Sequence, residues 1–167
     1  MRCLAGPLAV LLMLAACSST PPVTKSPYVA TALTPVQRIA IAPGGGALAD
    51  ALAAQLGEIH GFEIVPAETV FAMMDAAGVG MLDGPQLGGL GFLGTRGIDA
   101  VLTVRGEAGG EAAHSASVAV LRVPDGARLA ESHWTPRLRR LSDARRILQP
   151  DRVSSLLAEE VAVALRR

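Results

Sequence analysis

The sequence predicts an α/β chain, a mixed sheet with helices packed on it, and three observations predict it. Short apolar runs alternate with Ala/Leu-rich segments of helical spacing through residues 38–105. An Asp-Gly turn, Pro124-Asp125-Gly126, then separates two alternating runs, which marks a hairpin. Residues 151–167 carry one apolar stripe, so the chain closes on an amphipathic helix. The predicted order is β-α-β-α-(α)-β-β-β-α, in a single domain spanning 36–167.

Each element has its own signal. RIAIA at 38–42 reads as a short buried strand, and 47–59 puts Leu48, Leu52, Leu56 and Ile59 on one helical face, with Gly57 weakening its end. FEIV at 62–65 is a second strand. Pro66-Ala67-Glu68 opens a helix carrying Val70, Phe71, Met73 and Met74, closed by Gly78. The glycine-rich stretch 82–100 predicts a looser helix with Leu87, Leu90 and Leu93 inward. AVLTVR at 100–105 is the third strand, Gly109 and Gly110 sit in a loop, and strands follow at 115–123 and 128–134. In the last helix Val153, Leu156, Leu157, Val161, Ala164 and Leu165 form the stripe, Asp151 suits its start, and Arg166 and Arg167 suit the negative end of its dipole.

The chain opens MRCLAGPLAVLLMLAACSST. Arg2 precedes an apolar run at 4–14 and small residues follow, the order of a secretory signal, and the run is shorter than the roughly 20 residues a spanning helix needs. Leu14-Ala15-Ala16-Cys17 resembles the lipobox of bacterial lipoproteins. That resemblance implies a signal peptide of residues 1–16, a diacylglyceryl thioether on Cys17 and an acyl (palmitate-type) chain on its new amino group. Residues 17–35, rich in Pro, Ser and Thr, read as a flexible tether with a reach of at most about 60 Å. Ser18 in place of aspartate points to the outer membrane and its periplasmic face, given a Gram-negative source.

Composition narrows the chemistry. Of 2 cysteines, Cys3 leaves with the leader and Cys17 becomes the anchor, so the mature domain has no disulfide, thiolate metal site or cysteine nucleophile. A formal net charge of zero gives no nucleic-acid footprint, and 3% aromatic residues disfavour a stacking surface. His60, His114 and His133 are scattered, without the spacing of a zinc site, and no Gly-x-Ser-x-Gly elbow is present. No catalytic residue, metal or cofactor is expected.

Gly44-x-Gly46-x-x-Ala49 fits the loop with which Rossmann domains hold a pyrophosphate. The acidic residue wanted about 20 positions on is missing, since Glu63 lies inside the second strand and Glu68 lies past Pro66. The favoured reading is that Gly44, Gly45 and Gly46 turn a strand tightly into a helix. The alternative is a small-ligand or nucleotide binder using this loop, in which Gly45→Asp abolishes ligand binding and leaves the fold intact. Two features are candidate partner contacts. The segment 136–150 carries Arg137, Arg139, Arg140, Arg145 and Arg146 against one acid, Asp143, and is either a solvated face or a contact for an acidic partner. Trp134, the one tryptophan, is either core or a binding hot spot.

The phrases RIAIAP, ALADALAAQL, GFEIVPAETV, GIDAVLTVRGEA and SVAVLRVPDGARLAESHW, followed by a terminal amphipathic helix, come in a known order. The chain resembles the exported α/β domain shared by the curli-secretion lipoprotein, the penicillin-binding-protein activator lipoproteins of the LpoB type and the N-terminal domain of TolB. The resemblance implies a non-enzymatic docking or assembly module at the periplasmic face, and it carries over one residue, Cys17. The stretch 107–114 is too short to supply the barrel hairpins of the secretion pore, and the tether is shorter than that of the activators. The expected function is therefore an outer-membrane-anchored module, held in the membrane through Cys17, that binds an envelope protein partner. The alternative within the same family is a ring-forming homo-oligomer of the curli-secretion type.

Overall fold

The computed structural model describes residues 23–25, 35–79, 87–109, 112–123, 125–135 and 150–166. The described elements are β1 (Val23–Lys25), β2 (Arg38–Ile41), α1 (Gly46–Glu58), β3 (Glu63–Val65), α2 (Ala67–Ala76), α3 (Leu87–Thr95), β4 (Ala100–Gly109), β5 (Ala112–Arg122), β6 (Arg128–Trp134) and α4 (Pro150–Leu165). One mixed sheet runs β1-β6-β5-β4-β2-β3. β2 is parallel to β3 and β4, and the remaining pairs are antiparallel. The α/β class and, from β2 onward, the element order are those expected from the sequence.

The two-residue period of β2 explains how one strand serves two cores. Ile39 and Ile41 point to one face, where α1 contributes Ala49, Leu52 and Leu56 and α4 contributes Val153, Leu157, Val161 and Leu165. Ala40 and Ala42 point to the other, where α2 contributes Val70 and Met74 and α3 contributes Leu90 and Leu93. The crossover from β2 to β3 uses α1, and the return past β2 to β4 uses α2 and α3. Reversing direction while changing face keeps both crossovers in the same hand. Arg166, just past α4, ties that helix to the turn after α1: its Nη2 donates to the His60 carbonyl at 2.8 Å, and its guanidinium lies 5.9 Å from the Phe62 ring. That is a tertiary lock rather than the dipole contact expected for this arginine.

Two apolar residues lie elsewhere than the stripes suggested. Ile59 is 64% exposed and Leu156 37%. Ile59 falls beyond the last turn of α1, where the chain turns away from the sheet. The buried face of α4 is narrower than the apolar arc drawn from sequence. Ala158 and Ala162 let α4 lie close to its neighbours, so the seam runs along them and leaves Leu156 outside.

Two strands exceed their predicted lengths. β4 runs to Gly109 and β5 starts at Ala112, so most of the expected loop 107–114 continues the hairpin, with Gly109 opposite Ala112 and a register shift between Glu107 and Ala108. Val23–Lys25, expected within the flexible tether, is an edge strand instead: Val23, Thr24 and Lys25 stand opposite Trp134, His133 and Ser132.

Candidate functional site

The glycine loop lies where β2 hands over to α1. Gly44 (φ +98) and Gly46 (φ +56) adopt the left-handed conformation that glycine takes without cost. Gly45 does something different. A Cβ there would meet the Ala49 Cβ at 2.5 Å and the Val104 Cβ at 3.1 Å, so the missing side chain lets the start of α1 approach β4. Gly45→Asp would therefore disturb the fold itself, which corrects the expectation that it tests ligand binding alone. Glu63, the acid considered for a ribose, stands opposite Arg38 at the start of β3, while the loop follows the end of β2. Because β2 and β3 are parallel, these are opposite ends of the sheet. The Glu63 carboxylate is 2.9 Å from Arg38 Nε.

Trp134 is 1% exposed and belongs to the core under α1 and α4. Its ring cannot reach a partner without opening the sheet, which removes it from the candidate contacts. Cys17, Arg137, Arg139, Arg140, Arg145 and Arg146 lie outside the described residues. Among the described residues no group of three or more His, Cys, Asp or Glu side chains is placed to hold a metal ion, and no helix is long and apolar enough to cross a membrane.

A hollow of about 440 Å³ lies between α3 and the starts of β2 and β4, lined by Val36, Gly91, Gly94, Thr95, Asp99 and Arg122 among others. Its charged groups are committed. The Asp99 Oδ2 accepts the amides of Gln37 and Arg38, each at 2.9 Å. Arg122 is paired with Asp125 through Nη2 at 2.6 Å and Nε at 3.0 and 3.2 Å. Little is left there to recognise a ligand.

Among the described residues, the α2/α3 face of the sheet carries partly exposed or exposed side chains along β4, β5 and β6. Pairing places Arg105 opposite Ser117, and Ser117 opposite His133, so the three share a face in one row across three strands. Ser115 and Thr135 lie two residues away along β5 and β6, and a hollow of about 600 Å³ is lined by these residues together with Gly106, Ala116 and Trp134. No carboxylate is among its described lining residues. Two carboxylates flank the row: Glu107 stands opposite Ser115 on β4, and Glu131 lies 3.5 Å from His133 Nε2 and is held by Arg128 at 2.7 Å. Single-sequence reading missed this row, because its residues lie far apart in the chain and only strand register brings them together.

No family model matches the chain, and no curated protein matches it. Among solved structures, the chain is similar at 16% identity to a single-substitution variant of PelC from Paraburkholderia phytofirmans, a dodecamer, over 81% of this chain and 97% of that one, with a TM-score of 0.39.

Proposed function

We propose that the chain is a lipoprotein of the outer membrane, anchored at Cys17 with its α/β domain on the periplasmic face, and that it binds a protein partner in envelope assembly and catalyses nothing. The observation that carries this is the opening of the sequence: Arg2, the apolar run 4–14 and Leu14-Ala15-Ala16-Cys17, in the order a lipid-modified export signal requires. The resemblance to the curli-secretion, LpoB-type and TolB N-terminal domains supports the assembly role. The commitment of Asp99, Arg122 and Glu63 to structural contacts is in keeping with it. Docking would act by confinement, since a tethered domain meets a membrane-bound partner at a raised effective concentration.

The test is to cross-link the full chain in its native membrane through a C-terminal tag, and to identify both what accompanies it and the mass of the Cys17 peptide. Acylated Cys17 with a cell-wall synthase or secretion protein in fixed proportion supports the proposal. Unmodified Cys17 overturns the anchoring. Recovery of the chain chiefly with itself, in a ladder of fixed size, replaces the docking module by the ring-forming homo-oligomer.

A further inference from the structure

We infer that the row Arg105–Ser117–His133 is a binding site for a phosphate group. Adjacent strands lie about 4.8 Å apart, so a guanidinium, a hydroxyl and an imidazole are presented from three strands across roughly 10 Å. Ser115 and Thr135 add two hydroxyls at the rim of the same hollow. This is a stock of donors: five N–H groups from arginine, three hydroxyls and an imidazole N–H. A tetrahedral phosphate, with oxygens pointing in several directions at once, uses such a set better than a planar carboxylate does. Arg105 is exposed. His133 is 51% exposed.

Two sources could present the phosphate, a lipid headgroup or a soluble phosphate compound. The chain favours the headgroup, a preference that rests on the proposed anchoring at Cys17. Thr24 of β1 stands next to His133 in the same cross-strand row. Only residues 18–22 separate β1 from Cys17, a reach of about 20 Å at most. The hollow therefore stays near the leaflet that would hold the acyl chains.

The experiment uses the full lipoprotein and follows the His133 ring signals by NMR. In uncharged detergent, inorganic phosphate is titrated against wild type and Arg105→Gln. Without added phosphate, nanodiscs of phosphatidylglycerol are compared with discs of digalactosyldiacylglycerol, which contain no phosphate. The expected result is a saturable His133 shift with inorganic phosphate, weakened about tenfold by Arg105→Gln with the rest of the spectrum unchanged, as loss of a charge-assisted hydrogen bond requires. The same shift is expected in phosphatidylglycerol discs and not in galactolipid discs. A shift with inorganic phosphate but none in phosphatidylglycerol discs keeps the site and overturns the headgroup as its source. No shift in either arm, or an Arg105→Gln titration matching wild type, overturns the site. The mass of the Cys17 peptide separates these outcomes from a failure of the anchoring itself.

Discussion

Arg38 and Asp99 hold each other through two hydrogen bonds, one to the Asp99 carboxylate and one between backbones. The Arg38 amide donates to Asp99 Oδ2 at 2.9 Å, and the Asp99 amide donates to the Arg38 carbonyl at 3.0 Å. The same carboxylate oxygen also accepts the Gln37 amide at 2.9 Å. The pair fixes the entry of β2 against the entry of β4, and so sets the register of the parallel half of the sheet. Asp99→Ala is expected to cost about 1–2 kcal/mol, because it strands two amides at a partly hydrated site. Asp99→Asn, which keeps an acceptor oxygen, should cost less. Urea midpoints at an unchanged slope check both.

The glycines differ in what they do, and alanine separates them. Gly45→Ala pushes a methyl group into Ala49 and Val104 and should destabilise by about 1–3 kcal/mol. Gly91, inside α3, has nothing within 4 Å of where a Cβ would stand. Gly91→Ala should therefore stabilise, by about 0.5–1 kcal/mol, since helical glycine pays more backbone entropy than alanine. Thermal melts that place the two variants on the same side of wild type would contradict this account.

On α4, neighbouring leucines should behave oppositely. Leu157 is fully buried between α1 and the sheet, while Leu156 is 37% exposed. Leu157→Ala is expected to cost about 2–5 kcal/mol through lost burial and the cavity left behind. Leu156→Ala should cost under about 1 kcal/mol. Denaturant unfolding of both variants checks whether the seam follows Ala158 and Ala162.

The hairpin turn brings a pH dependence. The hydrogen bond from Arg122, with the Ala127 amide as a second donor, lowers the Asp125 pKa from 3.8 to about 2. A carboxylate whose folded pKa is depressed adds stability above its unfolded value and loses it as the pH falls through the folded value. The contribution should be complete above about pH 4 and disappear between about pH 4 and 2. In Asp125→Asn, acid titration of stability should lose that step and keep the rest.

The sequence was informative where one periodicity met one buried face. Leu52 and Leu56 of α1 and the alternation of β2 needed only local spacing, and Asp125-Gly126 marked its own turn. Ile59 and Leu156 lie outside the core because an apolar stripe shows which arc can be buried, whereas the neighbour decides how much of it is. Val23–Lys25 lies among Pro, Ser and Thr residues and owes its strand to Ser132, His133 and Trp134, which no local pattern reveals. The row of Arg105, Ser117 and His133 needs two strand registers at once.

The position of β1 has a consequence for timing. Synthesis begins at the N-terminus, yet Val23–Lys25 can pair only after β6 exists, and α1 closes its core only when α4 has formed. Between those events the early part of the chain carries an unsatisfied strand and a helix with a bare apolar face. Whatever handles the nascent chain must shelter both until α4 has been delivered. The fold is thus fastened by β1 and α4 together, and a chain interrupted before α4 would leave the apolar face of α1 bare.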